Sequence, residues 1–192
     1  MKMKKRFLGI LFSLVMVLGL MPGMSLTAYA KSEVKYLDAS GTEQSITNYT
    51  VVESDTRSLR QGWYVVNSDV EINETFSISG DANLILCDGA KLTVTSSRDG
   101  ISATRGSLTI YAQSTSDNMG KLEVTSGSAG IRLLKNLTIN GGKIETQGSN
   151  GIICQDADIT INGGNVTADG GIFFSTQNNC KRQIIGVYVI AS

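Results

Sequence analysis

The chain has 192 residues, with 17 basic and 17 acidic side chains, three cysteines and no histidine. Without histidine there is no Ser-His-Asp or Cys-His nucleophilic site, and the scattered Cys87, Cys154 and Cys180 do not make an ordinary zinc site. Sparse cysteine in odd number also argues against a disulfide-stapled scaffold, and Cys87 and Cys154 read as small buried apolar residues.

The first thirty residues read as an export signal. Lys2, Lys4, Lys5 and Arg6 form a basic start, and Phe7 to Leu20 is an uncharged apolar run. Pro22 and Gly23 break that run, and Ala28-Tyr29-Ala30 supplies the small-x-small pattern for cleavage after Ala30. The run is shorter than the roughly 20 apolar residues of a membrane span. No membrane association is therefore expected after cleavage, and the product is expected to be secreted or held at the cell surface. Removing the four basic residues leaves 13 basic against 17 acidic side chains, or −4. A chain with that balance has no electrostatic reason to bind nucleic acid.

Residues 31–61 are polar and read as an arm or linker. From Gly62 the chain gains bulky apolar groups (Trp63, Val65, Val70, Ile72, Phe76 and Ile78), which read as an N-terminal coil or cap. A repeat follows. Asn136 to Gly148 aligns with Asp158 to Gly170 at an offset of 22, with six of thirteen positions identical. Earlier copies begin at Leu84 and Ser107, the latter interrupted by an insertion of about seven residues, Gln113 to Met119. Gly-Ile pairs close the units at Gly100, Gly130, Gly151 and Gly171.

Within each unit the apolar residues alternate with Thr or charged residues, as in Leu137-Thr138-Ile139. Runs this short with a period of two are strands. Three short strands and three turns in about 22 residues make one coil of a parallel β-helix. The expected fold is therefore all-β: a right-handed parallel β-helix of four to five coils with an N-terminal cap, over residues 62–175. Residues 176–192 would be a capping or truncated end. Leu108, Leu137 and Ile159 should share one inward column, and Leu122, Ile144 and Val166 another.

Gly62-Trp-Tyr-Val-Val-Asn67, Val70-Glu-Ile-Asn73, Asn83 to Val94, Leu108 to Tyr111 and the Leu/Ile-Thr-Ile-Asn-Gly-Gly units resemble a group of secreted β-helix repeat proteins of Gram-positive gut bacteria. That group is related to carbohydrate-binding β-helix domains of the pectate-lyase-like superfamily. The resemblance spans residues 62–172 and implies a right-handed β-helix without catalytic residues to carry over.

The sharpest functional feature is an outward ladder. In register, Lys91, Lys121, Lys143 and Asn165 form one column, and Thr93, Glu123, Glu145 and Thr167 the column beside it. Such a stripe suits an extended acidic polysaccharide or cell-wall glycan. Repetition alone produces such ladders, and a solubility device that guards sheet edges and pairs weakly with the glutamates accounts for the pattern more simply. Aromatic platforms for sugars would come from Trp63, Tyr64, Tyr111, Phe173 or Phe174, with Tyr111 expected at the exposed start of the insertion. Asp156 and Asp158 are spaced as paired carboxylates sometimes are, but a turn explains them as well. The Asn-x-Thr triplets at Asn48, Asn73, Asn136 and Asn165 read as turn and outward-face chemistry. The expectation is a non-enzymatic, cofactor-free extracellular module that binds carbohydrate or mediates adhesion. A β-helix lyase or hydrolase, or a structural spacer or fragment of a larger surface protein, is the alternative.

Overall fold

A computed structural model describes residues 32–174, 182–184 and 188–191. The expected signal peptide, Cys180 and most of the 176–192 segment lie outside them. All described elements are strands, and they wind into a parallel β-solenoid of about five turns.

Each coil contributes one strand to each of three parallel sheets. The first sheet stacks Thr50–Val51, Gly62–Val66, Ala82–Leu86, Leu108–Ala112, Leu137–Ile139, Ile159–Ile161 and Arg182–Ile184. The second stacks Val70–Ile72, Lys91–Ser96, Lys121–Ser126, Lys143–Gln147, Asn165–Ala168 and Tyr188–Ala191. The third stacks Ser58–Leu59, Phe76–Ile78, Ile101–Ala103, Ala129–Leu133, Asn150–Cys154 and Ile172–Phe174.

Alternation decides which side chains enter the core. Leu108 pairs with Leu137 and Leu137 with Ile159, all three buried, while Thr109, Thr138 and Thr160 point outward between them. Leu92, Leu122, Ile144 and Val166 form the matching buried column of the second sheet. The Gly-Ile pairs place Ile101, Ile131, Ile152 and Ile172 in register on the third. No coil buries its aliphatics alone, so the stability of each depends on its neighbours.

The turns between the first and second sheets need glycine for two reasons. Gly142 and Gly164 have φ of +97° and +87°, where L side chains are strained. A Cβ on Gly164 would also lie 2.5 Å from the Gly142 carbonyl oxygen, so this turn stacks on the one before it only because Gly164 lacks a side chain.

One expectation is corrected at the N-terminal end. Residues 32–61 do not form a loose polar arm or linker. Val34–Leu37 and Glu43–Ile46 form an antiparallel hairpin, and Thr50–Val51 and Ser58–Leu59 join the solenoid sheets. Tyr49, Val52 and Leu59 from this segment are buried. Of the two readings of Trp63 to Ile78, coil or cap, the structure shows the coil: its three strands pair with those of the 82–103 coil.

The hairpin lies on the outer face of the first sheet. There the outward column Val51, Val65, Ile85, Tyr111 is apolar, and Val65 and Ile85 are fully buried although they face away from the core. Tyr36 of the hairpin packs on Trp63 and Tyr111, with ring centroids 4.9 Å from each. Gln113 ties the edge, donating from Nε2 to the Lys35 carbonyl at 3.2 Å.

Candidate functional site

The second sheet carries the predicted ladder in the predicted register. Lys91, Lys121, Lys143 and Asn165 are successive partners, as are Thr93, Glu123, Glu145 and Thr167. Coils repeat at about 4.8 Å, so like side chains recur at that spacing along the outer face. A third outward column, Thr95, Thr125 and Gln147, is exposed beside them. The three columns make one polar surface.

The charges on that surface are paired with one another. Lys121 lies 2.8 Å from Glu145 and 3.7 Å from Glu123, and Lys91 lies 3.6 Å from Glu123. The hydrogen bond to Glu145, then the charges of Glu145 and Glu123, outweigh desolvation and hold the Lys121 ammonium above its ordinary pKa. These side chains are partly exposed, so each pair contributes little to stability. Lys143 turns away to donate from Nζ to the Asp117 carbonyl of the 113–119 insertion. At the first coil the Asp69 carboxylate takes the Lys91 backbone N–H at 3.0 Å. None of the three lysines therefore stands as an unengaged cation, and a polyanion must draw them from partners within the protein.

The aromatic expectations divide. Tyr111 is not an exposed platform. It is half-buried, its ring stacked on Trp63 at 5.2 Å under the hairpin, and its hydroxyl donates to Asn83 Oδ1 at 3.3 Å. Burial, and after it the nearby Tyr36 and Asp38, push its pKa up. Tyr64 is also half-buried, accepting the Arg60 N–H on its hydroxyl at 2.9 Å. Phe173 is 49% exposed on the third sheet, in register with Ile153. The Phe174 side chain lies outside the described residues.

Asp156 adopts a left-handed turn at φ +56°, a conformation Asp tolerates better than most residues. The Asp158 backbone N–H donates to Asn136 Oδ1 of the preceding coil at 3.1 Å. Turn geometry thus accounts for one member of the carboxylate pair and coil stacking for the position of the other. Among the described residues no three His, Cys, Asp or Glu side chains converge to hold a metal. The thiols of Cys87 and Cys154 are buried, and burial, helped by Asp88, raises Cys87 to about 11.

Among the described residues, the insertion after Tyr111 makes the longest turn on this edge of the solenoid. Gly89 N–H donates to the Asn118 carbonyl at 2.7 Å, Gln113 bridges to the hairpin, and Lys143 holds Asp117. The hairpin opposite it was not anticipated from sequence. Its signal was present in Tyr64-Val65-Val66 and Leu84-Ile85-Leu86, where alternation fails and apolar residues occupy both faces of the strand. A strand apolar on its outer face needs a cover.

No family model matches this chain, and neither the curated proteins nor the solved structures contain a match.

Proposed function

We propose that this protein is a non-catalytic extracellular module that binds an extended glycan, or makes a cell-surface contact, along the outer face of its second sheet. The observation that carries the reading is the in-register alignment of Lys91, Lys121 and Lys143 beside Glu123 and Glu145 on the outer face of a parallel sheet. The interior is filled by aliphatic columns. An extended polymer can follow a row of like groups about 4.8 Å apart, and such polymers are the class of ligand that a solenoid face suits. Export fits this role, with cleavage expected after Ala30. Mass spectrometry of the exported protein should find Lys31 at its N-terminus.

The internal Lys–Glu pairing favours a second reading, that the stripe serves solubility and the module is a spacer. Affinity electrophoresis with polygalacturonate separates the two. If the stripe binds acidic polymer, a Lys91→Gln/Lys121→Gln/Lys143→Gln variant should lose retention. A Glu123→Gln/Glu145→Gln variant should gain it, because its lysines are released from their partners. Both effects should shrink at high salt. Unchanged retention in both variants would rule out the stripe, and no retention of any glycan by the wild type would leave the spacer reading.

A further inference from the structure

The hairpin tip and the 113–119 insertion face each other across the turns that link the first and second sheets. Between them lies a groove of about 490 Å³. That volume falls within the range of small-molecule sites, about 300–1,000 Å³. Its walls are the 37–41 tip on one side and Ser114, Thr115 and Met119 on the other. Its floor is the stacked Asn-Gly-Gly turns, with Asn140, Asn162 and Asn165.

The chemistry of this lining is neutral and rich in hydrogen-bonding groups. Asn162 Nδ2 donates to Asn140 Oδ1 at 2.8 Å. That bond uses one donor and one acceptor, leaving the remaining capacity of both amides, each of which offers two N–H donors and an acceptor oxygen. Ser114 and Thr115 add hydroxyls, and Leu37 and Met119 add apolar surface. The described lining holds no lysine or arginine to neutralise an anion. Its one carboxylate, Asp38, is already engaged by Ser40, Thr42 and Gln44, at 2.7 to 3.0 Å. A cation would find no unengaged carboxylate there.

Both walls are held in place before any ligand arrives. The Tyr36–Trp63–Tyr111 cluster fixes the hairpin, and the bonds from Gly89 and Lys143 fix the loop. The Gln113 bond to Lys35 joins one wall to the other. Walls fixed in advance lower the ordering cost of binding.

We propose that this groove is a binding site for a short neutral saccharide. Its asparagine amides would meet ring hydroxyls, and Leu37 and Met119 the C–H face of a sugar ring. It meets the charged stripe at Asn165 and, through the Lys143 bond to Asp117, at one wall, but Lys91, Lys121 and the glutamates take no part in its lining, on which the proposal rests.

Calorimetric titration of the mature protein with maltotriose, cellotriose, xylotriose and mannotriose tests it. At least one trisaccharide should bind at one site per chain, with an affinity insensitive to salt. Thr115→Trp, a change at an exposed position that fills the groove mouth, should weaken binding about tenfold or more, as should Asn162→Ala. Lys91→Gln/Lys121→Gln on the stripe should leave it unchanged. The groove proposal fails if the wild type binds none of the four, or if Thr115→Trp and Asn162→Ala both bind as the wild type does. Retention of polygalacturonate without any trisaccharide binding would overturn the groove and leave the glycan stripe standing. Trisaccharide binding without polymer retention would do the reverse.

Discussion

Tyr36 and Trp63 meet with ring centroids 4.9 Å apart and planes tilted by 43°, and through this contact the hairpin is fastened to the solenoid. Tyr36 also makes an edge contact with Tyr111, which itself stacks on Trp63. Each aromatic pair contributes about 0.5–1.5 kcal/mol beyond its buried area. Tyr36→Ala removes two of the three pairs and should cost about 1–3 kcal/mol. Trp63 is the chain's one tryptophan, so its emission reports on this cover directly. The variant should show red-shifted emission in buffer while its β-sheet circular dichroism remains. Emission identical to the wild type would mean that the hairpin does not depend on this contact.

Ile139 and Ile161 are fully buried partners on the inner face, while Thr138 and Thr160 are partners on the outer face. Ile139→Ala should therefore destabilise the domain by about 2–5 kcal/mol, and Thr138→Ala should change it by less than about 0.5 kcal/mol. Denaturant unfolding of the two variants measures the difference. Small, equal effects at both sites would contradict the strand register.

The solenoid was legible because its later coils obey one rule. Leu137-Thr138-Ile139 and Ile159-Thr160-Ile161 alternate cleanly, and the offset of 22 fixes which residues stack. The register of the Lys and Glu columns followed from the same offset. The hairpin was not legible, because Lys35, Glu43, Gln44 and Ser45 give its strands a polar, linker-like composition. Its few apolar groups, Val34, Tyr36 and Ile46 among them, are accounted for only by the apolar outer face that the hairpin covers. The state of the lysines was not legible either. Repetition places Lys121 between two glutamates, but side-chain geometry turns Lys143 away to the insertion. The burial of Tyr111 depended on that same unseen hairpin.

Thr146 is the exception in its inward column. Its neighbours there are Val124 and Ala168, and its hydroxyl is buried without a hydrogen-bond partner among the described residues. A buried hydroxyl left unpaired costs about 1–3 kcal/mol. Thr146→Val keeps the shape and removes the penalty, so it should stabilise the domain by about 1 kcal/mol or more. Thermal unfolding of the variant, read by circular dichroism, should show a higher midpoint. An unchanged or lower midpoint would show that the hydroxyl is satisfied in solution.

The hairpin tip should loosen in acid through Asp38. Its Oδ1 accepts from the Ser40 hydroxyl at 2.7 Å, the Ser40 N–H at 2.9 Å and the Thr42 N–H at 3.0 Å, and Oδ2 accepts from Gln44 at 3.0 Å. These bonds, the Ser40 hydroxyl first, lower its pKa to about 2. The unfolded value is about 3.9. Because the folded value is the lower, the carboxylate's contribution is fully present above about pH 3.9 and is lost as the pH falls through about 2. Asp38 is on the surface, so solvent screens the effect and it is expected to be local. Trp63 emission followed from pH 5 to pH 2 should shift to the red within that window. Asp38→Asn keeps an acceptor oxygen but cannot titrate, so the part of the transition that belongs to Asp38 should be missing from its curve. Superimposable curves for the wild type and Asp38→Asn would show that the tip does not hold the hairpin in place.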